Sequence, residues 1–136
     1  AIDHDYDFVL LDCPPNISTL SENVFRAADR IVVPVVPTTL SERTFEQLLT
    51  FFDEHKIDRK KLVALFSMVE GRKTLHSDTM ARMRKSHRKR FLASAIPYAA
   101  DVEKMGVHRA PVASFARTRP ASRAYAALYD EMKDRL

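Results

Sequence analysis

The stretch FVLLDCPP, residues 8–15, sets the question on which the fold turns. Four apolar residues in a row, Phe8 to Leu11, read as a strand covered on both faces, the pattern of parallel sheets rather than of half-exposed hairpins. The run ends on an acid, a thiol and two prolines. A carboxylate at the end of a buried strand is costly unless it is hydrogen-bonded or close to a cation.

Two further runs rich in branched residues, IVVPV at 31–35 and LVALF at 62–66, have the same character, and FLASAI at 91–96 is a weaker fourth candidate. Helical patterns lie between them. Ser18 or Thr19 can cap a helix that turns Leu20, Val24 and Ala28 toward the sheet. Ser41 can cap the next, with Phe45, Leu48, Leu49 and Phe52 on one face. A third is expected from about Ser77 to Lys89, with Met80, Met83, His87 and Phe91 along one side. The last opens at Pro120, a favoured first-turn residue, and its line of Tyr125, Leu128, Tyr129, Met132 and Leu136 should pack on the rest. Strand alternating with helix predicts an α/β fold, a parallel sheet with helices on both faces. No repeat or linker divides the 136 residues, which read as a single domain, 1–136.

Composition narrows the function classes. Hydrophobic residues make up 46% and charged residues 29%, an ordinary globular balance. No run approaches a membrane span and no signal-peptide pattern opens the chain, so no membrane partner is expected. One cysteine excludes an internal disulfide, and the cytoplasm is the expected compartment. Lys plus Arg exceed Asp plus Glu by 22 to 18, a mild excess compatible with a polyanionic partner. The five histidines show no metal-ligand spacing, and Cys13 has no nearby histidine that would make it a nucleophile.

In an open parallel sheet, ligands bind beyond the C-terminal ends of the strands. Asp12 therefore falls where function is expected. Mg²⁺ seeks oxygen, keeps several waters and takes few protein carboxylates, so Asp12 has the setting of a Walker B magnesium ligand, direct or through water. The other reading is a cap of the following turn. Pro14 and Pro15 stiffen the loop beyond it.

The longer stretch YDFVLLDCPPNISTLSENVFRAADRIVVPV, residues 6–35, resembles the Walker B and switch II region of the ParA/MinD family of P-loop ATPases. Asp12-Cys13-Pro14-Pro15, the helix carrying Asn23, Ala27-Ala28-Asp29 and the strand ending in Pro34-Val35 each match a family feature. TTLSERTFEQL (38–48), AIPYAADVEKMGVHRAPV (95–112) and RTRPASRAYAALYDEM (117–132) extend the resemblance over effectively the whole chain.

The resemblance implies a P-loop NTPase-like fold that is partial here, lacking the N-terminal strand and the P-loop. It makes Asp12 the Mg²⁺ ligand and Cys13, Pro14, Pro15 and Asn16 switch II. Ser67, Met68, Pro97, Tyr98 and Val102 would then lie near the nucleotide base. The family's phosphate cradle needs several glycines and a lysine. This chain has only Gly71 and Gly106, and neither begins such a loop. The chain is accordingly expected to be the C-terminal half of a ParA-like ATPase domain, preceded by the missing part. ATP and Mg²⁺ would be bound by the full-length protein, an ATP-dependent homodimer acting with nonspecific double-stranded DNA and a cargo-bound activator of ParB type. No catalytic residue is assigned within this chain, and the fragment alone is expected neither to bind nucleotide nor to hydrolyse it.

RMRKSHRKR, residues 82–90, carries six Lys or Arg among nine residues. Such density repels itself unless an anion is near, so a phosphate backbone is a plausible partner, with a solvated helix face as the alternative. Arg82, Arg84, Lys85, Arg88, Lys89 and Arg90 form the expected DNA surface, and Arg72 and Lys73 could extend it. No aromatic residue interleaves the run, which argues against single-strand stacking. A second functional reading is open at this level, and a third is set aside. A non-enzymatic DNA- or protein-binding module would keep the fold without the nucleotide chemistry. A phospho-acceptor receiver would need an earlier acidic pair and a later strand-end lysine, and the sequence has neither.

Overall fold

A computed structural model of the chain describes residues 5–13 and 19–135. The element order is α1 (Thr19–Ala27), β1 (Ile31–Val35), α2 (Thr39–Glu54), a 3-10 turn (Arg59–Lys61), β2 (Leu62–Val69), α3 (Thr74–Ser86), β3 (Phe91–Pro97), α4 (Ala100–His108), α5 (Val112–Phe115) and α6 (Pro120–Lys133). The strands form a parallel sheet in the order β1-β2-β3. Ile31 is in register with Leu62 and Ala64 with Phe91.

Two cores explain why β2 is apolar without interruption. Leu62, Ala64 and Phe66 point to one side, where Phe45, Leu49 and Phe52 of α2, Met83 of α3 and Phe91 complete a buried cluster. Val63 and Leu65 point to the other, with Leu92 and Ile96 of β3 and Leu128 of α6. Each successive strand is reached through a crossover helix, α2 and then α3. Right-handed crossovers that step in one direction place both helices on the same face. The opposite face is left to α6, so the expected parallel sheet with helices on both faces is present.

Local signals account for the boundaries. Thr38, not Ser41, caps α2: its Oγ1 accepts from the Ser41 backbone N–H at 3.2 Å. Pro34 sits in β1, which has one neighbour among the described strands, so its missing N–H costs no ladder bond. Pro120 opens α6 as expected. Leu128 is buried and Tyr125 and Met132 pack beside it, whereas Tyr129 is exposed, contrary to the expected line. Helix α3 ends at Ser86 rather than Lys89, so Arg88, Lys89 and Arg90 lie in the turn that enters β3.

The main correction concerns Phe8–Leu11. The run is not a strand: it has no regular secondary structure, and its side chains are 53–86% exposed. The physical reason is pairing. A strand exists through bonds to a neighbour, and no described strand lies beside this run. The expected cap residue Ser18, together with Pro14, Pro15, Asn16 and Leu136, lies outside the described residues.

Candidate functional site

The C-terminal ends of β2 and β3 gather one set of expected residues. Beyond Phe66 the β2–β3 register shifts, and Met68 adopts φ 53°, a left-handed conformation that a non-glycine residue rarely takes. The Tyr98 backbone N–H donates to the Val69 carbonyl at 3.0 Å, which brings the Ser67–Met68 segment beside Pro97–Tyr98. Tyr98 and Met68 are exposed, while Ser67, Pro97 and Val102 are half-buried. The sequence-expected base-contact residues thus come from two adjoining strand ends and the first turn of α4.

Polar side chains line the same end. The Tyr98 hydroxyl donates to Glu103 at 2.9 Å, and the carboxylate at that hydroxyl holds the phenol pKa above its ordinary value. The Glu70 backbone N–H donates to Nδ1 of buried His76 at 3.1 Å, which pins the β2–α3 turn. Arg72 and Lys73 stand in or next to that turn, and Lys73 pairs with Glu70. Residues 74–81 of α3 separate them from Arg82, where the basic run begins, a rise of about 12 Å along the helix.

Asp12 and Leu11 are exposed and Cys13 is half-buried. The Cys13 thiol lies 3.5 Å from the Leu11 carbonyl. Among the described residues no group of three or more His, Cys, Asp or Glu is placed to hold a metal ion. A lone carboxylate such as Asp12 still suits Mg²⁺, which completes its octahedron with waters and phosphate oxygens, whereas it would not make a zinc site. Of the switch II residues only Cys13 is among the described ones.

The opposite end of the sheet carries the basic run, which the structure divides. Arg82 is committed to Glu42 of α2 at 2.9 Å and to Thr79 Oγ1 at 3.1 Å. Arg84 donates to the Leu92 and Ala93 carbonyls at 3.3 and 2.9 Å, and its guanidinium lies 5.4 Å over the Phe66 ring. Arg90 is half-buried, with Nε enclosed and without a hydrogen-bond partner among the described residues. Lys85, Arg88 and Lys89 are exposed, and their side chains form no ion pair among the described residues. Within the run, the His87 Nε2 N–H donates to the Glu46 carboxylate at 2.7 Å and the ring lies edge-on to Phe45, so α2 anchors this end of α3 at two carboxylates.

Sequence reasoning missed two residues here. Glu131 of α6 accepts from the Ala93 and Ser94 backbone N–H groups at 2.7 and 2.8 Å on β3, which has β2 as its one neighbour among the described strands. Arg135 donates to the Lys89 carbonyl at 3.2 Å. Both lie more than thirty-five residues from their partners, beyond the reach of any local pattern. With Arg84, Lys85, Arg88, Phe91, Leu92 and Ala93 they line a groove of about 430 Å³.

Comparison with known proteins agrees with this architecture. Residues 1–64 match the family described as an AAA domain. The chromosome-partitioning ATPase Soj of Thermus thermophilus is 30% identical over 138 residues, covering 98% of this chain and 55% of that protein. The sporulation initiation inhibitor protein Soj of Bacillus subtilis is 25% identical over 116 residues, 82% of this chain and 46% of the relative. A ParA family protein of Mycoplasma pneumoniae is 35% identical over 88 residues, 61% and 32% of the two chains. The chain spans about half the length of the first two of these relatives. With a parallel sheet flanked by helices and matches that run almost end to end, the chain belongs to the ParA/MinD-like family of P-loop ATPases.

Proposed function

We propose that the chain is the part of an ATP-switched partition ATPase that carries the magnesium ligand, the base-contact loops and a duplex-DNA surface. The observation that carries this reading is the two-ended layout. Ser67, Met68, Pro97, Tyr98 and Val102 meet at the C-terminal strand ends, while Lys85, Arg88 and Lys89 stand exposed where β3 begins. A seven-residue strand holds those ends roughly 20 Å apart, so nucleotide and DNA do not compete for space.

Each role rests on chemistry. Asp12 supplies Mg²⁺ with one carboxylate, and Cys13, Pro14, Pro15 and Asn16 form the loop that senses the γ-phosphate. Bound Mg²⁺ neutralises charge on the phosphates during transfer. The Gly-rich cradle with its lysine is supplied from outside these residues, since Gly71 and Gly106 cannot form it. The 136 residues alone therefore bind no nucleotide and hydrolyse none. The complete protein dimerises with ATP, rests on nonspecific double-stranded DNA and answers to a cargo-bound activator of ParB type.

The DNA end is testable on this chain. Binding to two duplexes of unrelated sequence is monitored by fluorescence anisotropy across a salt series. Three freely exposed cations predict equal affinity for both duplexes and a log–log salt slope of about −3. A salt-insensitive interaction, or strong preference for one duplex, contradicts the reading.

A further inference from the structure

The groove beside β3 deepens the DNA reading and rests on it. The basic run forms only one wall, through Lys85 and Arg88. The other wall is the end of α6. Arg135 is held there from two sides: its guanidinium donates to the Lys89 carbonyl at 3.2 Å, and its own carbonyl accepts from Arg30 Nε at 3.3 Å. An exposed arginine anchored through backbone contacts is presented to the groove at lower cost in side-chain freedom than a fully mobile one.

The floor is the outer edge of β3, and it already holds an anion. Glu131 takes the Ala93 and Ser94 N–H groups, donors that an isolated edge strand offers to any incoming acceptor. Arg84 covers the neighbouring Leu92 and Ala93 carbonyls. A carboxylate on two backbone N–H groups, with Arg84, Lys85, Arg88 and Arg135 around it, occupies the position that a phosphate oxygen would favour.

We propose that duplex phosphates enter this groove between α3 and α6, with Arg135 as a phosphate contact equal in rank to Arg88, and with Glu131 as a built-in competing anion that keeps binding weak. The weakness then resides in one carboxylate rather than in a shortage of cations.

The test is anisotropy with a fluorescent duplex of mixed sequence, about three helical turns long, on the whole chain, with circular dichroism to confirm folding of each variant. Losing one phosphate contact flattens the salt slope by about 0.9 and, at about 0.1 M salt, weakens binding about eightfold. That is expected for Arg135→Ala as for Arg88→Ala, and Arg135→Glu should weaken binding further. Glu131→Gln keeps a hydrogen-bond acceptor and removes the charge. A unit charge roughly 5 Å from a phosphate in a water-like dielectric corresponds to about fourfold, so this variant should bind about fourfold more tightly. If Arg88→Ala weakens binding while Arg135→Ala and Arg135→Glu do not, the basic run stands and the groove is wrong. Unchanged or weaker binding by folded Glu131→Gln overturns the role given to that carboxylate. No binding by the unsubstituted chain removes the DNA reading and the groove together.

Discussion

Phe66→Leu tests the packing that joins the core to the basic end. Phe66 is fully buried, stacks on Phe91 with ring centroids 4.4 Å apart, and carries the Arg84 guanidinium 5.4 Å over its ring. Leucine keeps the apolar character but loses the ring pair, worth about 1 kcal/mol. It also loses the cation–π contact, about 0.5–1 kcal/mol, and refilling the changed shape costs about 1 kcal/mol more. A loss of roughly 2–3 kcal/mol is expected, against the roughly 5–15 kcal/mol typical of a domain. For a chain of this length that lowers Tm by roughly 7–10 °C. Urea unfolding monitored by circular dichroism measures it. Combining Phe66→Leu with Arg84→Met should reveal a coupling of about 0.5–1 kcal/mol, since the two groups touch. A single-variant loss below about 1 kcal/mol with no coupling would refute the stacked arrangement.

Local contacts give three further tests. Thr38→Ala removes the acceptor for the Ser41 N–H and should cost about 1 kcal/mol in urea unfolding, with Thr38→Ser largely neutral. For Glu131, burial pushes the carboxyl pKa up, but the Ser94 and Ala93 N–H groups, the Ser94 side chain and Arg135 outweigh it, and the net shift is downward. A depressed acid contributes stability above its ordinary range of about 4.3 and loses it as pH falls through the folded value. The stability advantage of the unsubstituted chain over Glu131→Gln should therefore be full at neutral pH and vanish in acid. For Tyr98 the Glu103 carboxylate holds the phenol in its protonated form. Glu103→Gln should lower the ionisation midpoint seen by ultraviolet absorbance at alkaline pH.

Legibility in the sequence depended on how local each signal was. IVVPV and LVALF lay within β1 and β2, and Pro120 marked the start of α6, because burial on both faces and proline geometry leave their mark within a few residues. The cap at Thr38 was displaced by three residues from the expected Ser41, since both hydroxyls sit in the same turn and only the backbone decides which one caps. Phe8–Leu11 shows the limit of periodicity. An apolar run states a demand for cover and cannot name the neighbour that provides it. The basic run was visible as composition, but its division into committed Arg82 and Arg84 and exposed Lys85, Arg88 and Lys89 depends on Glu42, β3 and Phe66. Glu131 and Arg135 had no sequence signal, because their meaning lies in a strand edge about forty residues away in the chain.

Titration calorimetry with Mg²⁺ and ATP tests the central claim most directly. It would be run on this chain, on a longer protein in which a Gly-rich lysine loop precedes it, and on that protein with Asp12→Ala. The account predicts no binding by the 136 residues, binding by the longer protein, and weakened Mg²⁺-dependent binding once Asp12 is removed. Silence from the longer protein, or Asp12→Ala binding Mg²⁺ and ATP as the unsubstituted protein does, would contradict it.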